Sequence, residues 1–175
     1  HGAISWDDKA IISPIACQGC GICASECPMD AIQLTDFTDK EMSDRIREAA
    51  ADSAESPKIV AFCCQNSAYE AGMAAKAFNF ELPAGLKLVK VPCAGKIDIH
   101  YILNALVEGA DGVLVLACHT GNCKSESGNT YAKWRINDVY QKLAQVGIEK
   151  DRLEFATLAS TMANDFSRIV VDMEK

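Results

Sequence analysis

Nine cysteines in 175 residues, against three histidines, constrain this chain more than any other feature. The count is odd and nothing in the sequence reads as a secretory signal, so a disulfide framework is not expected. The thiols point instead to metal binding or thiolate chemistry. They fall into two groups: Cys17, Cys20, Cys23 and Cys27 lie close together, while Cys63, Cys64, Cys93, Cys118 and Cys123 are dispersed. Charge divides at a similar place. The first 56 residues hold eleven acidic and four basic side chains, the rest thirteen of each, so the whole net charge of −7 lies in the first part. A surplus of this sign argues against nucleic acid or an anionic membrane as the main partner. With 49% hydrophobic and 23% charged residues the composition is that of a globular protein. No apolar run approaches the roughly eighteen residues of a membrane span.

Cys17-Gln-Gly-Cys20-Gly-Ile-Cys23-Ala-Ser-Glu-Cys27-Pro28 has the spacing C-x2-C-x2-C-x3-C-P and resembles the cysteine run of bacterial ferredoxins. Two residues between cysteines let a tight turn aim three thiolates at one 4Fe–4S cubane. Gly19 and Gly21 let backbone amides approach the sulfides. In two-cluster ferredoxins the fourth cysteine serves the other cluster, so Cys27 either completes this site or reaches a neighbouring one. Zinc usually wants a second, distant pair of ligands, and a redox dithiol leaves two cysteines over. Short strands are expected at Ala10–Ile12 and Ala31–Leu34. His1-Gly-Ala-Ile-Ser-Trp6 aligns on Ala-Ile with Met29-Asp-Ala-Ile-Gln-Leu34, the hexapeptide that follows Cys27-Pro28. This internal match predicts a chain that starts just after a first cysteine run, with residues 1–40 as the second half of a two-cluster ferredoxin.

Thr35 to Ser56 is polar, carries a short helical pattern around Met42–Ala51, and ends in Asp52-Ser-Ala-Glu-Ser-Pro57, which reads as a linker. Residues 41–57 are therefore the expected connection. From 58 to 175 the pattern alternates. Strands are expected at Lys58–Cys63, Leu86–Val91, Gly112–Ala117 and Arg152–Leu158, with helices over Ser67–Phe80, Ile97–Val107, Asn129–Val146 and Met162–Met173. The unbroken apolar run of Gly112–Ala117 suits a parallel strand covered on both faces. The fold class is α/β: an open parallel sheet of about four strands with flanking helices, preceded by a small ferredoxin-like segment.

The five dispersed cysteines follow no short motif, but each falls at or just beyond the end of a strand. Ligands of open α/β sheets bind outside the carboxyl ends of the strands, so all five are expected to converge on one crevice. Such a set suits an iron–sulfur cluster or zinc. Two other readings stand beside it. Cys118-His-Thr-Gly-Asn-Cys123-Lys124 is similar to the phosphate loop of low-molecular-weight tyrosine phosphatases, which would make the chain a thiol enzyme, reductase or phosphatase, centred on Cys118. That loop needs an arginine where Lys124 stands, and the reading leaves Cys63, Cys64 and Cys93 unexplained. A zinc-bound structural adaptor is the other. His119 is a possible ligand beside Cys118, and His100 reads as structural. No dinucleotide fingerprint, paired-carboxylate motif or metal-hydrolase signature is present, so no complete active site is expected.

Phe62-Cys-Cys-Gln65, Val91-Pro-Cys-Ala-Gly-Lys-Ile-Asp98, the run from Gly109 to Cys123, Gly128-Asn129 and Arg135 resemble the delta subunit of methyl-viologen-reducing hydrogenase. The resemblance covers nearly all of 58–175. It implies a 2Fe–2S cluster and electron transfer between a hydrogenase and the HdrA component of heterodisulfide reductase. The fusion to a ferredoxin segment, with Phe37-Thr-Asp-Lys-Glu-Met42 between, is similar to the carboxyl-terminal part of HdrA-like flavoproteins. It is similar too to the B-type subunits of quinone-interacting membrane-bound oxidoreductases of sulfate reducers. Implied partners are redox subunits of those kinds, with no nucleic acid and no direct membrane span. FAD is implied only for another part of a longer chain. The location implied is cytoplasmic, at the membrane only through partner subunits. The family often has a further cysteine three after the Cys-Cys pair, where this chain has Ser67. Cys93, Cys118 and Cys123 match family cysteines singly, and Cys63 and Cys64 compete for the fourth place. Adjacent strand residues point to opposite faces, and Cys64, nearer the strand end, is preferred.

Overall fold

A computed structural model describes residues 2–51 and 55–175; His1 and positions 52–54, the latter within the expected linker, lie outside the described residues. The chain opens with an antiparallel pair, β1 (Ile4–Trp6) and β2 (Ala10–Ile12), in register Ile4 to Ile12. The cysteine run follows and contains one helical turn, α1 (Ile22–Ser25). The expected strand at Ala31–Leu34 does not form. The amides of Ala31 and Ile32 turn instead to the sulfur of Cys27, so they are spent on a thiol and not on a ladder.

α2 (Asp39–Ala51) begins with a capping box. The Thr38 amide donates to Glu41 Oε2 at 2.9 Å, and the Glu41 amide donates to Thr38 Oγ1 at 3.3 Å. Met42, Ile46 and Ala50 recur at i, i+4 and i+8 and are wholly buried in the main core. This polar stretch is thus seated on the sheet by one narrow apolar stripe.

Four parallel strands form the sheet in the order β4-β3-β5-β6. They are β3 (Ile59–Cys64), β4 (Leu86–Val91), β5 (Gly112–Ala117) and β6 (Leu153–Thr157). The helices that connect and close them are α3 (Ala68–Ala77), α4 (Ile99–Val107), α5 (Gly128–Gln145) and α6 (Ala163–Met173). β3 and β5 are buried at every residue, which explains their unbroken apolar runs. Alternation sorts the side chains. Val60, Phe62, Cys64, Val113, Val115 and Ala117 join the core under α2, α4 and α5. Ile59, Ala61, Cys63, Leu114 and Leu116 join the core under α3 and α6. α3 buries only small residues, and a Cβ at Gly72 would come within 2.8 Å of the Phe166 ring, so the Phe166 side chain of α6 packs directly on the α3 backbone. Among the described residues no helix is long and apolar enough to cross a membrane.

One buried cation ties the two parts together. Lys96 is 1% exposed and its Nζ lies 2.8 Å from Asp39 Oδ1, with the Tyr101 hydroxyl bonded to the same carboxylate. Burial raises the Asp39 pKa, but hydrogen bonds from Lys96, Tyr101 and Gln33 outweigh it and bring it to about 2 from the ordinary 3.8. A carboxyl whose folded pKa is depressed stabilises the fold above its ordinary pKa, and that contribution is lost as pH falls through the folded value. Asp39→Asn leaves Lys96 buried without its countercharge. Because Asp39 is nearly half open to water, the expected cost is about 2 kcal/mol, below the roughly 3–5 kcal/mol of a fully buried pair. Urea unfolding of wild type and variant near neutral pH measures it. The difference narrows as pH approaches 2, and equal stability at neutral pH would show that the pair contributes nothing.

Candidate metal centres

In a sheet of order β4-β3-β5-β6 the connection after β3 runs to one side and the connection after β5 to the other, so the crevice lies at the carboxyl ends of β3 and β5. Cys64 is the last residue of β3 and Cys118 follows the last residue of β5. Their sulfurs are 3.5 Å apart. Cys93, just beyond β4, hydrogen-bonds to the Cys64 thiol and accepts the Gly95 amide at 3.5 Å. Cys123, in the loop before α5, faces Cys93 across Gly128, whose Cα is open to both sulfurs. Four cysteines from positions 64 to 123 are thus brought together. The expectation that all five converge is corrected for Cys63. It is wholly buried on the other face of the sheet among Ala68, Leu114 and Phe166, its thiol directed at the Ala61 carbonyl at 3.4 Å. The pleat makes this unavoidable once Cys64 faces the crevice.

The thiols share protons in series. Cys64 is hydrogen-bonded to Cys118, with either sulfur able to donate, and to Cys93. The bond with Cys64 and burial push Cys118 well up. For Cys64, the bond with Cys118 favours the thiolate, but the bond with Cys93 and burial outweigh it. Cys93 is lowered by the Cys64 thiol, against burial, with help from the Gly95 amide and the Ser125 hydroxyl. A catalytic nucleophile at Cys118 would need the opposite shift. His119 is engaged elsewhere, Nδ1 with Thr157 Oγ1 at 2.9 Å and Nε2 with Met162 Sδ at 3.2 Å. His100 is exposed on α4. The donor set is therefore four thiols without imidazole or carboxylate, which fits a soft iron–sulfur centre. The thiol contacts run Cys118, Cys64, Cys93, with Cys123 across Gly128 from Cys93, and among the described residues no three His, Cys, Asp or Glu side chains close on a single-ion position.

In the amino-terminal run, Cys17, Cys20 and Cys23 line one cavity of about 340 Å³ with Gly19, Gly21 and Tyr131 of α5. Burial and the neighbouring Cys20 and Cys17 raise the Cys23 thiol. Cys27 does not line this cavity. Its sulfur accepts the amides of Met29 and Ala31, which lower its pKa. Three of the four thiols share the lining of one cavity and the fourth does not. Gly21, at φ +76°, is required twice over, since a Cβ there would also meet Lys96 Cδ at 2.9 Å.

The two sites meet along a seam. Ile22 packs on Gly95, where a Cβ would come within 2.6 Å of Ile22 Cγ1, and Ser25 Oγ donates to the Lys96 carbonyl at 2.6 Å. Arg135 is buried and donates to the carbonyls of Gly95 at 2.8 Å and Ile97 at 2.9 Å, while its other nitrogen pairs with Glu26. Lys96, Gly128 and Arg135 belong to the family-like motifs, but their sequence surroundings assign them no role. Buried cations are rare, and nothing local in the chain marks these two as buried.

Comparison with known proteins bears on both parts. Residues 10–33 match the 4Fe-4S binding domain, which makes the chain an electron-transfer protein of the iron–sulfur kind. Residues 59–175 match the methyl-viologen-reducing hydrogenase, delta subunit, and the chain belongs to that family. It is 37% identical over 117 residues to the D-type iron-sulfur subunit of the vhu F420-non-reducing hydrogenase of Methanocaldococcus jannaschii, covering 67% of this chain and 87% of the relative. The D-type iron-sulfur subunit of the F420-non-reducing hydrogenase of Archaeoglobus profundus is 31% identical over 118 residues, with 67% and 86% covered. The likeness to the A-type subunit of ferredoxin:CoB-CoM heterodisulfide reductase of Methanosarcina mazei takes in more of this chain. It runs over 145 residues at 29% identity, 83% of this chain but 18% of that protein.

Proposed function

We propose that this chain relays electrons between two iron–sulfur centres and redox partner subunits of a hydrogenase- or heterodisulfide-reductase-type complex. The observation that carries the reading is the meeting of Cys64, Cys93, Cys118 and Cys123 at the switch point of the sheet. These four hold a 2Fe–2S cluster. Cys17, Cys20 and Cys23 hold a 4Fe–4S cluster, and Cys27 reaches a neighbouring one. The units are the ferredoxin-like segment 1–40, the connection 41–57 and the α/β unit 58–175. The clusters supply one-electron chemistry. The chain's residues position them, exclude water and release the thiol protons of Cys64 and Cys118 on loading. Any FAD belongs to another part of a longer chain. The setting is cytoplasmic, with any membrane reached through partner subunits.

Protein purified without oxygen is expected to be brown, to contain iron and acid-labile sulfide, and to bleach with dithionite. Two distinct reduced signals in EPR, one per cysteine group, are the expected result. A colourless protein holding stoichiometric zinc overturns the reading.

A further inference from the structure

The turn between β3 and α3 holds a serine whose side chain has no local use. The Ser67 amide donates to the Cys64 carbonyl at 3.2 Å and its carbonyl accepts from the Ala71 amide at 3.0 Å, so its backbone starts the helix. A serine in this position ordinarily spends its hydroxyl on a free amide of the first turn. This one makes no such bond. Ser67 is 3% exposed, and among the described residues its Oγ is the buried side-chain polar atom without a hydrogen-bond partner. Buried polar groups are as a rule paired, and an orphan asks for a reason.

The reason is at hand in the crevice. Ser67 lies beside Cys118, near enough for its hydroxyl to favour the ionised thiol. In the metal-free protein the Cys118 sulfur lies 3.5 Å from that of Cys64, with either able to donate, and a neutral thiol is a weak acceptor. A metal-bound thiolate carries charge, and a hydrogen bond to an ionised acceptor is roughly twice as strong as a neutral one.

We propose that Ser67 donates its hydroxyl to the Cys118 sulfur when that sulfur is a cluster ligand, and so raises the reduction potential of the α/β-unit centre. The inference rests on the relay function proposed above. Reduction adds negative charge to the centre and its sulfurs, so a donor aimed at one of them stabilises the reduced form more than the oxidised form. The hydroxyl is satisfied in the loaded protein and orphaned in the metal-free one.

An EPR-monitored redox titration of the full chain, loaded without oxygen, tests this. Ser67→Ala is expected to move the midpoint of the α/β-unit centre to a more negative potential and to leave the ferredoxin centre where it was. Ser67→Thr, which keeps the hydroxyl, is expected to titrate with the wild type. In the metal-free protein Ser67→Ala is expected to resist urea at least as well as wild type, because no bond is lost there. An unchanged midpoint in the alanine variant overturns the proposal, as does a threonine variant displaced as far as the alanine. Should the alanine variant fail to load, Ser67→Gly decides. It too lacks the hydroxyl and is tolerated at a helix start, so a wild-type midpoint in that variant overturns the proposal and a lowered one supports it. Absence of any α/β-unit signal in the wild type is a different result. It fails the relay reading itself and is seen before any variant is made.

Discussion

Replacing any one of Cys64, Cys93, Cys118 or Cys123 by alanine is expected to abolish the EPR signal of the α/β-unit centre and to spare that of the ferredoxin segment, whereas Cys63→Ala keeps both. Cys118, Cys64 and Cys93 are in contact in turn and Cys123 lies across Gly128 from Cys93, and a centre that takes all of its protein ligands from that set has no thiol in reserve. Cys63 is the adjacent residue, yet it lies on the far face of the sheet in a dry core. Its loss removes one buried sulfur and costs about 1–2 kcal/mol by analogy with other small core truncations. Iron content and the two signals, measured side by side, separate ligand loss from unfolding. A Cys63→Ala protein that lost the α/β-unit signal while folded, or a Cys118→Ala protein that kept it, would sink the ligand assignment.

Gly128→Ala is expected to be as damaging as loss of a ligand, although it adds a single methyl group and removes no donor. Gly128 is the first residue of α5, and a Cβ there would run into the Cys93 sulfur and stand 3.5 Å from that of Cys123. Either Cys93 leaves the set or the helix start backs away. Overpacking of this kind costs about 1–3 kcal/mol of stability, but the larger effect falls on the centre, because the sulfur that must move is a ligand. Gly121→Ala is the control. It lies in the same loop region, in a left-handed conformation with φ +84°, and has nothing within 4 Å of an added Cβ, so it carries backbone strain without intrusion. Iron content of the α/β unit is expected to collapse in Gly128→Ala and to persist in Gly121→Ala. Equal iron in the two variants would mean that Cys93 is not held where the geometry puts it.

The strands and helices of residues 58–175 are legible in the sequence because most of the sheet is covered on both faces, which writes β3 and β5 as unbroken apolar runs. That Cys63 and Cys64 oppose each other is legible from the pleat. Which of them faces the crevice depends on where α3 and α6 pack, and no local pattern carries that. The strand expected at Ala31–Leu34 fails because alternation says nothing of where an amide is spent, and two of these amides go to Cys27. Arg135 and Glu26 are 109 positions apart, and Lys96 and Asp39 57. A cation read from sequence looks like surface until its partner is known. Ser67 stands in the sequence only as a departure from the family's cysteine, and its orphaned hydroxyl becomes visible with the surrounding core.

The seating of α2 in the core bears on how charge would move through the molecule. Many electron carriers work as hinged arms, in which a small redox head swings between donor and acceptor and the swing limits the turnover. Here the stretch expected as a linker is partly built into the α/β unit through Met42, Ile46 and Ala50, and Gly21 and Ile22 sit directly on the loop after Cys93. The junction resembles a soldered joint. The gap between the two thiol sites is set by atoms in contact, so an electron passing between them would need no diffusional search.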